Sequence, residues 1–308
     1  MNYRINSKIN NIGSQEDYVS EYTDDKIKIH AIYDGHTGTD IVKTICNGIE
    51  NHILPFSSYL AKIITPYLEN YSEENIKCII TKAFEDYDSI LAKNFKYATS
   101  GTTATIVVIL EEHVFIAYIG DSKALALKNK KMILKTIDHN YKDNQEEKKR
   151  LDECKIQIKP TNNFQVLSEE SLETTSSNYH KFGTAPRTEL LAISRAFGHY
   201  FSRLPDLKMG LITTPTIHSI PKTSDLEIIL GTDGIWDIIQ INSEVEIMNE
   251  LISKALQSNK SEADMIAEYA DLKWKQKWNV KNNDTYYKDY QMPAEHWDDC
   301  SCIYLTFS

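Results

Sequence analysis

The chain has 308 residues, of which 41% are hydrophobic and 25% charged, with a formal net charge of −10. This suits a folded domain with its own apolar core, and the acidic balance argues against nonspecific binding of DNA or RNA. The five cysteines, Cys46, Cys78, Cys154, Cys300 and Cys302, contain no Cys-x-x-Cys pair, which argues against a disulfide framework or zinc knuckle and for a reducing cytoplasmic setting, with the nucleus open.

In chain order, residues 1–22 are polar, without the apolar core of a secretory signal. Ile27 to Tyr33 reads as a buried strand and ends abruptly in Asp34, Gly35 and His36. A rigid strand feeding an accessible turn suits the display of chemical groups, although Asp-Gly is also an ordinary turn dipeptide. Ile41, Val42, Ile45, Ile49 and Ile53 recur at helical spacing and predict a helix stopping near Pro55. A second helix is predicted from Glu73 to about Asn94, with Ile76, Ile80, Phe84, Tyr87 and Leu91 on one face.

Thr102 to Leu110 and Val114 to Ile119 form a predicted hairpin of largely buried strands, followed by strands at Ala124 to Leu127 and Met132 to Lys135. Residues 145–152 read as a short charged helix, and the polar stretch 160–188 as a long surface insertion or flap. Structure resumes at Leu190 to Phe197, and Leu226 to Leu230 is a buried strand ending at Gly231-Thr232-Asp233-Gly234. Helices are predicted at about 243–257 and 261–278, a loop at 279–289, and a last strand at Cys302 to Phe307. No stretch reaches the apolar length of a membrane span. With no break in composition, residues 1–308 read as one domain of two packed sheets with helices outside.

Glu16, Asp34, Asp233 and Asp298 each lie where an apolar run meets a turn. Taken singly, each reads more readily as a turn or cap residue. Gathered at one end of a sheet, they would raise one another's pKa unless a cation neutralised them. Magnesium and similar hard ions take such oxygen ligands, and two metals sharing a carboxylate can activate water and clamp a phosphoryl oxygen.

The contexts of these residues resemble those of the type 2C family of metal-dependent Ser/Thr protein phosphatases. The resemblance is carried in order by Ile-Tyr-Asp-Gly-His-Thr-Gly (32–38), Ser-Gly-Thr-Thr-Ala (100–104), Ile-Gly-Asp-Ser-Lys-Ala (119–124), Asp138-His139 with Glu147 and Arg150, Leu-Ala-Ile-Ser-Arg-Ala-Phe-Gly (191–198), Gly-Thr-Asp-Gly-Ile-Trp-Asp (231–237) and Asp-Asp-Cys-Ser (298–301). Seven such motifs in register are a specific signal.

The resemblance implies an α+β fold in which two antiparallel sheets form a central sandwich flanked by helices on both sides. It implies two Mg or Mn ions, with Asp34 bridging them, the Gly35 carbonyl ligating one, and Glu16, Asp233 and Asp298 completing the ligands. A third, weaker ion would fall to Asp121 and His199, with Asp17 and Asp299 behind the ligands. Asp34 and His36 would be the catalytic pair, His36 as general acid to the leaving alkoxide, since imidazole titrates near neutrality. The implied activity is hydrolysis of phosphoserine and phosphothreonine by a monomeric enzyme whose partner is a phosphorylated protein, with neither nucleic acid nor membrane involved.

Four positions depart from the family pattern. Ile12 stands where the phosphate-gripping Arg usually lies, with Arg4 and Lys8 as conceivable substitutes. Thr37 replaces a Gly, at a strain cost if positive φ is required. His199 replaces an Asp, and Asp299 an Asn. A catalytically weak scaffold that binds a protein partner is therefore the alternative expectation, and a phosphatase for small metabolites a third.

Overall fold

The computed structural model of the chain describes residues 2–156, 158, 164–166, 191–203, 210–239, 243–282 and 285–308. The first elements are β1 (Tyr3–Lys8), β2 (Asp17–Thr23), β3 (Lys28–His36), α1 (Asp40–Asn47), α2 (Phe56–Ile64) and α3 (Glu73–Asn94). Next come β4 (Gly101–Thr102), β5 (Ala104–Ile109), β6 (His113–Ile119), β7 (Lys123–Lys128), β8 (Lys131–Lys135), α4 (Gln145–Glu153), β9 (Phe164–Val166) and β10 (Phe197–Gly198). The remainder comprises β11 (Thr216–Pro221), β12 (Leu226–Gly231), α5 (Asp233–Trp236), α6 (Glu244–Leu256), α7 (Glu262–Lys275), β13 (Lys277–Asn282), β14 (Thr285–Gln291) and β15 (Cys302–Phe307).

A five-stranded sheet runs β1-β15-β12-β7-β8, and a seven-stranded sheet runs β10-β4-β3-β5-β6-β11 with β2 on the other side of β3. Three apolar clusters order the layers. Ile32, Val107, Ile116, Ala126, Ile228 and Leu305 meet between the two sheets. On the outer face of the larger sheet, Ile29, Tyr33, Ile106 and Phe115 pack under Ile45, Phe56 and Phe84 of α1, α2 and α3. On the outer face of the other, Leu125, Ile229 and Tyr304 pack under Leu251 of α6 and Ile266 of α7. The result is the expected α-β-β-α sandwich, in which burial on both faces explains why the central strands read as continuous apolar runs rather than alternating ones.

The helix over Glu73–Asn94 forms as the periodicity predicts, with Ser72 accepting from the Asn75 amide as its N-cap. The helix predicted to reach Pro55 does not. α1 stops at Asn47, because Gly48 takes φ 70 and the chain turns through an Ile49–Ile53 bridge into the separate α2. The predicted 279–289 loop is likewise a hairpin. β13 buries Trp278, Asn279 and Val280, pairs with β14, and is joined on its other side by β9, so pairing and burial rather than local pattern make it a strand. β1, β2 and β11 were not expected either. The 160–188 insertion lies outside the described residues except for β9.

Candidate metal centre

The carboxylates converge because the strands that carry them end together. β2 and β3 pair with Asp17 opposite Asp34, and β12 and β15 bring Gly231 opposite Cys302, so Asp233 and Asp298 extend from the same rim of the second sheet. Both Asp-Gly dipeptides have a steric reason. A Cβ on Gly35 would lie 2.8 Å from the Glu16 carbonyl oxygen, and one on Gly234 would lie 2.1 Å from that of Asp299. Backbones at these two points approach too closely for any side chain.

The neighbouring motifs hold this arrangement. The Asp34 carbonyl accepts from the Thr103 amide at 2.9 Å and from the Thr102 hydroxyl at 2.8 Å, while the Asp34 amide donates to the Thr103 hydroxyl. Thr103 and Ser122 hydroxyls meet at 2.8 Å, which fixes the turn after Asp121. His139 receives the Gly120 amide on Nδ1, so its Nε2–H donates to Thr216. Glu147 is fully buried. Burial alone would raise its pKa, but hydrogen bonds from Arg150, Arg195 and Ser194 prevail and bring it to about 2.

Asp34 is 7% exposed, and oxygens or nitrogens of Asp34, His36 and Asp121 come within 4.8 Å of one another. Burial, then Asp233, Asp17, Asp298 and Asp121, hold the Asp34 carboxyl well above the usual range. Asp298 is raised by burial and then by Asp233, Asp17 and Asp237. Asp121 is raised by burial and then by Asp233, Asp138 and Asp237. Buried oxygens of Asp121, Asp138 and Asp233 and the buried His36 Nδ1 have no hydrogen-bond partner. Unpaired acceptors massed in a protein interior are costly. This donor set fits hard divalent cations of the Mg or Mn type.

Residues behind the cluster complete it. Asp17 accepts from the Thr232 hydroxyl at 2.8 Å. Burial and the neighbouring Asp299 and Asp233 raise its pKa to about 8, against the pull of the Thr232 hydroxyl. Asp299 has a different part from the one its charge suggests. Its two oxygens accept the Gly13 amide at 2.7 Å and the Glu16 amide at 2.9 Å, so it shapes the loop that presents Glu16. Glu16 in turn receives the Gly38 amide at 2.6 Å. An asparagine offers only one acceptor oxygen for these two donors.

Two participants were not singled out from sequence. Lys123 makes a 3.0 Å ion pair with Asp138 beside Asp121, and Asp237 follows Asp233 by one helical turn, its pKa raised by burial and then by Asp233 to about 8. The signal was present in the Asp-Gly-Ile-Trp-Asp spacing, since i and i+4 share a helical face.

The departures resolve unequally. Ile12 packs into the apolar cluster under α7. Arg4 is paired with Glu262, and Lys8 lies 3.4 Å from Asp264. Both cations are thus engaged with α7, and neither replaces the missing Arg. His199 Nδ1 meets the Thr99 carbonyl at 2.7 Å, which makes Nδ1 the protonated nitrogen. Its ring lies 6.2 Å from that of His36, and Nε2 is buried without a partner. His199 stands outside the grouping that contains Asp121.

Thr37 does adopt φ 59, and its hydroxyl reaches the Thr99 carbonyl at 3.2 Å. Relief of this left-handed strain should make Thr37→Gly more stable by about 1 kcal/mol, roughly a 2 °C rise in Tm by thermal denaturation. An unchanged or lower Tm would mean the hydroxyl contact outweighs the strain.

An α-β-β-α sandwich with a crown of carboxylates at one rim defines a metal-binding class of domain. Residues 6–272 match the family model for Protein phosphatase 2C, and the chain belongs to that family. It is 26% identical over 223 residues to "Probable protein phosphatase 2C 7" of Oryza sativa subsp. japonica, covering 71% of this chain and 48% of the relative. It is 26% identical over 239 residues to "Protein phosphatase 1A" of Bos taurus, covering 72% and 54%. The chain thus spans about half the length of these curated relatives. Serine-threonine phosphatase 2C from Toxoplasma gondii shares the fold at a TM-score of 0.66 and 15% identity, over 99% of this chain and 94% of that one.

Proposed function

We propose that the chain is a metal-dependent protein serine/threonine phosphatase acting at a binuclear Mg or Mn centre. The observation that carries this reading is the convergence of Asp34 and Asp298, both raised in pKa by burial and then by Asp233, beside Glu16 in a chain of this family. Asp34 would lie between the two ions, with the Gly35 carbonyl, Glu16, Asp233 and Asp298 as the other ligands. When bound, the ions supply Lewis acidity toward a phosphoryl oxygen and lower the pKa of water. Asp121 would serve a third ion, and His199 offers its Nε2 lone pair on the side of His36.

His36 is the proton donor in this reading. Its Nε2 lies 3.9 Å from an Asp34 oxygen. Burial prevails and holds its pKa below the usual imidazole value, with Asp233 and Glu16 offsetting it only in part; in its protonated form the ring would donate to a departing serine or threonine alkoxide. Asp17 and Asp299 hold the ligand loops. No helix among the described residues is long and apolar enough to cross a membrane, and the proposed substrate is a phosphorylated protein.

The test is hydrolysis of p-nitrophenyl phosphate and of phosphoserine and phosphothreonine peptides across a manganese titration. Turnover that depends on metal is expected; no turnover at any metal concentration overturns the assignment. Placement of Ile12 in an apolar cluster favours the second reading, a weakly active scaffold. Calorimetry separates the two, since a scaffold would show no divalent uptake at millimolar metal.

A further inference from the structure

We propose that His199 is a positioning residue for His36, holding a proton on the buried nitrogen of His36 by a hydrogen bond carried through one water, an inference that rests on the phosphatase reading above. His199 is 1% exposed. Its Nε2 and the Nδ1 of His36 are both buried without a hydrogen-bond partner among the described residues. Orphaned polar atoms in two neighbouring rings share one explanation if each serves the other, since each is costly alone.

The fold aims one ring at the other. β3 and β4 pair with His36 opposite Gly101, so side chains at these two positions share a face of the sheet. Gly101 has none, and the His199 ring fills the place. A Cβ there would lie 2.2 Å from Cδ2 and 2.4 Å from Nε2 of His199. The edge of His199 that carries Nε2 is thus the cross-strand neighbour of His36. The ring centroids stand 6.2 Å apart, too far for a direct bond between nitrogens and close enough for one bridging water.

The direction of the link is fixed from the far side. His199 Nδ1 donates to the Thr99 carbonyl at 2.7 Å, so Nε2 of the neutral ring can only accept. Burial and then His36 bring the His199 pKa to about 4, against the Thr99 bond, and the ring is neutral at physiological pH. The water must therefore donate to His199 and accept from His36 Nδ1–H. The Asp34 carbonyl is no substitute acceptor, since it already holds the Thr103 amide and the Thr102 hydroxyl. His199 at φ 52 and Thr37 at φ 59 are both left-handed, and the Thr37 hydroxyl reaches the same Thr99 carbonyl. Backbone of this kind persists only where its surroundings hold it, and it clusters at working sites.

With Nδ1–H engaged, Nε2 is the nitrogen of His36 left to face the carboxylate rim, 3.9 Å from an Asp34 oxygen. In the proposed reaction the breaking P–O bond leaves its electron pair on the serine or threonine oxygen. That oxygen takes the Nε2 proton, while Nδ1 keeps its own. Without the link the ring can turn or carry its proton on the other nitrogen, as any imidazole whose orienting partner is removed. A departing alkoxide needs the proton; the more stable p-nitrophenolate does not.

Long-range proton–nitrogen NMR of the metal-free protein reads the tautomer directly and needs no turnover. Neutral His36 should carry its proton on Nδ1 in the parent and lose that preference in His199→Phe, which keeps a ring and removes the acceptor. In kinetics with manganese, His199→Phe should lose about tenfold more kcat on a phosphoserine peptide than on p-nitrophenyl phosphate. His199→Gln, which retains an acceptor oxygen, should recover part of that difference, whereas a merely structural role would lower both substrates alike. A proton on Nε2 of His36 in the parent, or equal losses on the two substrates, would overturn the positioning role. The tautomer of the parent keeps the test decisive if the variants unfold. Turnover with the proton on Nε2 would leave the phosphatase reading standing and remove this one; the Nδ1 tautomer without hydrolysis of any phosphate ester would keep the bond to His199 and remove the phosphatase reading.

Discussion

Asp34→Asn is expected to lower phosphatase turnover by roughly 10³-fold or more and, in the metal-free protein, to raise the melting temperature. The two effects have one cause. Asp34 is 7% exposed, with burial and then Asp233, Asp17, Asp298 and Asp121 opposing its charge. Asparagine keeps the shape and removes the charge. Its backbone bonds to Thr102 and Thr103 do not depend on the side chain, so the strand end stays in place. A gain of 1–2 kcal/mol, roughly 2–6 °C, follows from relieving one member of a repelling buried set. Added manganese should then stabilise the variant less than the parent. Steady-state kinetics and thermal melts with EDTA or manganese decide both parts. Undiminished turnover would displace the centre from Asp34, and a lower melting temperature without metal would show that the cluster is not self-repelling.

The second large effect is an unusual stability profile for the metal-free protein, which loses stability as pH rises toward 8. Asp17 and Asp237 are raised to about 8, by burial first and then, respectively, by Asp299 with Asp233 and by Asp233. Folded chains therefore bind protons that unfolded carboxylates release above about pH 3.9. That contribution is fully present below the unfolded value and is lost as pH rises through 8. Buried histidines act oppositely. His30 and His199 are lowered to about 4 and His139 to about 3, all chiefly by burial. Their contribution is present above about pH 6.5 and is lost as pH falls toward 4. Asp34, Asp121 and Asp298 are raised as well, so the carboxylates outweigh these histidines and melting temperature in EDTA should fall as pH rises, by about 5 °C or more by pH 8.5. Saturating manganese should restore the alkaline side, with a gain of about 2.7 kcal/mol at one hundred times Kd, and do little at pH 5, where protons compete for the same oxygens. A flat profile in EDTA, or equal metal stabilisation at both pH values, would contradict this.

What sequence reveals here divides by physical cause. Long helical periodicity, as in Glu73–Asn94, and runs buried on both faces, as in Ala104–Ile109, survive translation into structure because local preference and tertiary burial agree. The positive φ on which the cost of Thr37 was conditional is adopted in the fold. Failures come where long-range partners decide. The polar residues 1–22 supply β1 and β2 only because β15 and β3 lie ready to pair with them. β13 and β14 are hidden by their lysines and asparagines until Trp278 and Val280 find the core. At the centre, strand-end carboxylates such as Asp34 were legible because Asp-Gly turns have a local signature. Asp299's hold on the Glu16 loop was not, because the partner amides lie some 280 residues away in sequence.

That separation governs how the protein comes into being. Asn2 and Ser308 exchange backbone hydrogen bonds, β1 lies against β15, and the Glu16 loop is shaped by Asp299. A nascent chain emerging from the ribosome can build the larger sheet and its helices, but it cannot assemble the carboxylate crown until the final strand has been made. Contacts of such sequence separation form late and slowly. The Glu16 loop thus waits on Asp299, 283 residues further along, and a chain cut before Asp298, ahead of β15, lacks both Asp298 and Asp299.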